Sequence, residues 1–128
     1  MQAILQSERR SRPEFGATTQ ALVAPVDLVH LRRFTLGNRL LELDVLQMFA
    51  EQAPLILDRL QQARTDKAWR DAAHTLKGSA GAIGAHAVAR AAAEAELLRG
   101  DEAAWPAGVA RIRLALDEAC IFIGAGAL

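Results

Sequence analysis

The chain has 128 residues, 52% hydrophobic and 23% charged, which is enough apolar surface to close one core and too little length for two. Fifteen Lys and Arg balance fifteen Asp and Glu, so the positive field that a phosphate backbone requires is missing and nucleic acid is not expected as a partner. One cysteine, Cys120, leaves no internal disulfide, and no charge-free stretch approaches the roughly 20 apolar residues of a membrane span. A cytoplasmic protein with no membrane partner is expected.

Residues 1–25 mix Ser, Arg, Pro, Gly and Thr without an apolar period and read as a loose or accessory N-terminal segment ahead of a domain over residues 26–128. Arg9, Arg10 and Arg12 stand beside Glu8 and Glu14, the composition of a solvated tail. The opening Met1–Gln6 is too short an apolar run, with its arginines on the wrong side, for a signal peptide.

Asp27 stands at an N-cap position between Val26 and Leu31, which are spaced to close a hydrophobic staple, so a short helix starts here. Thr35-Leu36-Gly37-Asn38 ends it. Leu41, Val45, Met48, Phe49, Ile56 and Leu60 then recur at intervals of three and four, with Leu55 and Leu57 widening the stripe; this predicts one long amphipathic helix, bent near Ala50 by Pro54. Thr65-Asp66 breaks and caps, and Trp69, Ala72, Ala73, Leu76, Ala80 and Ile83 form the inward face of a third helical segment, with Gly81 and Gly84 bracketing the turn after it.

From Ala85 to Arg99, seven of the first eleven residues are alanine, a composition that favours helix and close approach of a neighbour. Gly100-Asp101 stops it. Trp105-Pro106 begins the last helix, with Val109, Ile112, Leu116, Ala119, Cys120 and Ile123 inward, before Gly124 and Gly126. The alanine content, the absence of tyrosine and the short turns together predict an all-α fold: an antiparallel up-and-down four-helix bundle with a short additional N-terminal helix.

The chemistry concentrates in Ala73-His74-Thr75-Leu76-Lys77-Gly78-Ser79-Ala80-Gly81-Ala82-Ile83-Gly84-Ala85. On a helix, positions 74, 77, 78 and 81 share one face and 72, 73, 76, 80 and 83 the apolar one, so His74 points outward. A mid-helix glycine costs up to about 1 kcal/mol relative to alanine, and two of them beside a histidine call for a reason. An imidazole nucleophile, a fixed ammonium and a bare patch of backbone suit a group that receives a phosphoryl from another protein.

His-x-Leu-Lys-Gly-Ser with a Gly-Ala pair ten residues after the histidine resembles the histidine-containing phosphotransfer (HPt) family. The likeness extends to the short first helix, to Phe49-x-x-x-Ala53-Pro54-x-x-Leu57 and to a Leu-Glu-like ending of the fourth segment, over about Val26 to Ile123. Ala95 departs from the leucine usual before the glutamate, which implies a tighter helix contact. The resemblance implies a phosphorelay intermediate: His74 takes a phosphoryl on Nε2 from a receiver-domain aspartate and passes it to another receiver. Lys77 would then lend electrostatic support and Gly78 steric access. Response-regulator receivers and a hybrid or cognate histidine kinase are the implied partners, the carrier acts as a monomer with no cofactor of its own, and Mg2+ belongs to the receiver.

The two helices around the turn at Ala82 to Gly84 run antiparallel, which places Ala93 level with His74 by equal counting. Side chains tilt towards each helix's N-terminus and move the meeting point to Ala95 or Glu96. Glu96 alone can accept a hydrogen bond, and is expected to orient His74 through Nδ1. The phosphotransfer domain of a chemotaxis kinase resembles this layout, with a glutamate at the same spacing.

Other readings are weaker. His30 and His86 read as ordinary helix residues, and a metal site through His30, His74 and His86 would need ligands from separate elements without HExxH or CxxC spacing. A helix-turn-helix reader would present mostly alanine to base edges. Ser79 has no suitably placed base, and the absence of a phosphate-binding Gly-rich loop argues against ATP as direct donor and against enzymatic activity of its own. Two alternatives stay open: a helical adaptor that docks and regulates a receiver or kinase without phosphotransfer, and the acceptor module of a chemotaxis-type kinase.

Overall fold

A computed structural model of the chain describes residues 24–125; residues 1–23, which hold nearly all of the expected leader, and residues 126–128, which include Gly126, lie outside the described residues. Helix α1 spans Leu28–Thr35, capped by the Asp27 carboxylate, which accepts from the His30 amide at 3.1 Å. Val26 and Leu31 are buried, as a staple requires. Leu36 (φ 55°) and Gly37 (φ 79°) end the helix in left-handed geometry.

Helix α2, Arg39–Gln62, starts at Asn38 and carries Pro54 within one uninterrupted element. Its inward face is Glu42, Leu46, Phe49, Ala53, Ile56, Leu57 and Leu60. The expected stripe is therefore corrected: Leu41, Met48 and Leu55 are exposed and Val45 is half-buried. Leucines, Val45 and Met48 occupy nearly every side of the first turns, so the three-and-four spacing admits two phases. Docking of α1 is part of what selects between them, for the phase that wins buries Glu42 at 2% exposure. Its carboxylate accepts from Thr35 Oγ1 at 3.1 Å and faces Arg32 Nε at 3.6 Å, satisfying a charge that burial would otherwise penalise.

Helix α3 spans Asp66–Ile83, capped by Thr65, and buries Trp69, Ala72, Ala73, Leu76, Ala80 and Ile83, the face its spacing implies. Gly81 is helical rather than part of the turn, which is made by Gly84 at φ 83°. Gly84 also meets the chain start: the Asp27 amide donates to its carbonyl at 2.9 Å, and a Cβ there would lie 2.8 Å from the Asp27 carbonyl oxygen.

Helix α4 covers His86–Glu96 and so stops short of Arg99. Two tryptophans bond at and just beyond its end. The Trp69 indole donates to the Ala95 carbonyl at 2.7 Å and the Trp105 indole to the Leu98 carbonyl at 2.9 Å, taking acceptors that a longer helix would use. The rings stack with centroids 4.5 Å apart. Ala95 is fully buried, its small side chain letting the indole approach. A 3-10 turn, Glu102–Ala104, leads into α5, Trp105–Gly124, which buries Val109, Ile112, Leu116 and Ala119; Cys120 and Ile123, expected inward, are half-buried.

Contacts run α2 to α3, α3 to α4, α4 to α5 and α5 back to α2, while α1 touches α2 and α3. This is a closed four-helix bundle with one short helix across an end, and no strand occurs among the described residues. No described helix is long and apolar enough to cross a membrane.

Candidate functional site

The outer face of α3 carries His74, Lys77, Gly78 and Gly81, because the inner face is claimed by Ala73, Leu76 and Ala80 one and two positions away. The His74 side chain is 61% exposed. At Gly78 and at Gly81 an added Cβ would meet nothing within 4 Å. Neither glycine is required by internal packing, and together they leave bare backbone one and two turns beyond the imidazole.

Glu96 enters from the last turn of α4, its side chain 19% exposed, with Oε2 3.1 Å from His74 Nδ1 and Oε1 3.0 Å from Lys77 Nζ. The register that ended at Ala95 or Glu96 thus puts Ala95 in the core and the carboxylate against the ring. The Lys77 ammonium, and after it the His74 contact, hold the Glu96 carboxyl below the ordinary carboxylate range against the opposing effect of burial. An ionised carboxylate only accepts, so Nδ1 donates in this contact, and Nε2 has no side-chain partner among the described residues.

Lys77 is not a free cation waiting beside the histidine; it is paired behind the ring. The sequence places Lys77 and Glu96 near one another but does not tell that both donors share one carboxylate, which depends on rotamers across two helices. Its only available signal was the common meeting of positions 74 and 77 with the end of α4. One turn before His74, Arg70 and Lys67 both pair with Asp71, at 3.3 and 2.7 Å.

On the α2 side, a cleft of about 170 Å3 is lined by residues including Val45, Met48, Gln52, Ser79 and Ile83, apolar apart from Gln52 and Ser79. The Met48 that the sequence assigned to the core stands at its surface.

The other histidines lie elsewhere. His30 and His86 meet edge to face, centroids 5.5 Å apart, and His86 Nε2 lies 3.2 Å from Asp27 Oδ2 at the α3–α4 turn. Among the described residues no group of three or more His, Cys, Asp or Glu side chains is arranged to hold a metal ion. Burial, with Asp117 nearby, pushes the Cys120 thiol up and away from reactivity.

Comparison with known proteins places a family model, Hpt domain, on residues 44–120, more than half of the chain. The matched span runs from the first turns of α2 into α5 and contains every residue of the site. No curated protein and no solved structure matches the chain.

Proposed function

The chain belongs to the Hpt domain family, and from that premise we propose that it carries a phosphoryl group on His74 Nε2 between the aspartates of receiver domains. Hpt domains are phosphocarrier modules of two-component signalling that interact with receiver domains and histidine kinases. The single observation that carries the assignment to His74 is the contact of its Nδ1 with Glu96 at 3.1 Å while the ring stays exposed.

On this reading the Nε2 lone pair attacks phosphorus as the bond to the aspartyl oxygen breaks, the electron pair leaving on the donor carboxylate. The ring gains positive character, which the Glu96 carboxylate stabilises through the Nδ1 hydrogen. Onward transfer reverses these roles. The cleft between α2 and α3, lined by Ser79 and Ile83 of the helix that carries His74, offers a receiver an apolar seat, and Gly78 and Gly81 admit backbone. On the same reading Mg2+ is bound by the receiver and ATP by the kinase.

Incubation with a phosphorylated receiver in Mg2+ tests the proposal: the wild-type chain takes up phosphate and His74→Gln does not. If His74→Gln still altered the activity of the receiver or kinase as the wild type does, the adaptor reading would replace this one.

A further inference from the structure

Glu96 holds two partners with one carboxylate, and orienting the ring accounts for only one of them. We propose that Glu96 and the phosphoryl group compete for Lys77, so that the Lys77 contact of Glu96 offsets part of the stabilisation its Nδ1 contact gives the phosphorylated ring and favours onward transfer. The inference rests on His74 being the acceptor.

Lys77 lies three residues after His74 on the same face and is 40% exposed on a flexible stem. Gly78 puts no side chain in its way. Among the described residues its one ion-pair partner is Glu96, while the neighbouring Arg70 is engaged with Asp71. Before phosphorylation the ammonium and the carboxylate cancel behind the ring. A phosphoryl on Nε2 adds a charge of about −1.5 to −2 on the solvent side of it.

Attraction scales with charge, which favours the phosphoryl, but screening favours Glu96, whose carboxylate is the less exposed. The phosphoryl and Glu96 therefore draw the ammonium in opposite directions. Whatever Lys77 contributes to holding the phosphoryl is reduced by what it loses on leaving Glu96, and the phosphorylated state is raised in free energy by that difference. A neutral amide at position 96 would still accept from Nδ1 but would release the ammonium.

Loading with phosphoramidate tests this without a protein partner: Nε2 attacks phosphorus, the phosphorus–nitrogen bond of the reagent breaks, and ammonia leaves. The second ionisation of the bound phosphoryl is then followed by 31P NMR in wild type, Glu96→Gln, Lys77→Met and the double variant, with circular dichroism confirming that each is folded. A closer ammonium favours the dianion, so Glu96→Gln should lower the midpoint by about half a unit when Lys77 is present, the size of a partly exposed ion pair. In the Lys77→Met background the same substitution should move it by less than about half as much. Equal shifts in the two backgrounds, or no shift in either, overturn the competition and leave the acceptor assignment intact. Absence of a phosphohistidine signal from wild type, or its persistence in His74→Gln, overturns the acceptor assignment and the competition with it.

Discussion

One carboxylate makes the two nitrogens of His74 unequal, and its titration is the most local consequence of the account. Glu96 is held below the ordinary carboxylate range by Lys77 first and His74 second. As pH falls, the unfolded chain therefore binds this proton before the folded chain does. The stability Glu96 contributes is complete above the ordinary carboxylate range and is lost as pH drops through that range to the depressed value. Thermal unfolding of wild type and Glu96→Gln should show a Tm gap at neutral pH that narrows as pH falls through the ordinary carboxylate range and below it; a gap unchanged over that span contradicts the ion pair. Gly78 makes the second test at this scale. With open space where its Cβ would stand, Gly78→Ala should leave stability unchanged or raise it by up to about 1 kcal/mol, whereas Gly78→Gln should slow transfer from a receiver. Normal transfer by Gly78→Gln would refute the role of clearance. His74, Lys77 and Gly78 were legible because one helix wheel relates them. The sharing of Glu96 was not, since side-chain choice across a helix interface has no periodic signature.

At the scale of elements, legibility followed how unambiguous each apolar pattern is. In α3 alanines, Leu76 and Trp69 alternate with polar residues and glycines, so a single inward face exists and the structure uses it. In α2 the first turns are apolar on all sides, and the phase was set by a buried Glu42 meeting Thr35 and Arg32, partners from another helix. The end of α4 likewise meets an indole donor from another helix, Trp69, twenty-six residues away. Trp69→Phe should remove the indole bond to the Ala95 carbonyl, which still accepts from the Leu98 amide at 2.9 Å, and shrink a fully buried ring stacked on Trp105, lowering stability by at least about 1 kcal/mol in denaturant unfolding; an unchanged midpoint would show that the indole does not support the end of α4. Gly84→Ala should behave oppositely to Gly78→Ala. Its φ of 83° and the Asp27 oxygen 2.8 Å from the added Cβ leave no room, so a loss of at least about 1–2 kcal/mol is expected, and equal stability of the two alanine variants would be inconsistent with the turn described.

Across the whole molecule, the core lies within the ring of four helices and the proposed acceptor His74 is exposed on its surface, so stability and transfer should separate. Asp27 joins α1 to the α3–α4 turn through Gly84 and His86, and the capped His30 amide first, with His86 adding to it, holds its carboxyl below the usual range against the opposing effect of burial. That fifty-nine-residue separation of Asp27 from His86 is why no local pattern announced it. After phosphoryl transfer from a receiver, mass spectrometry under alkaline conditions should find the phosphate on His74 and find none on His74→Gln. Phosphate on His30 or His86, or retained by the His74→Gln chain, would contradict the account.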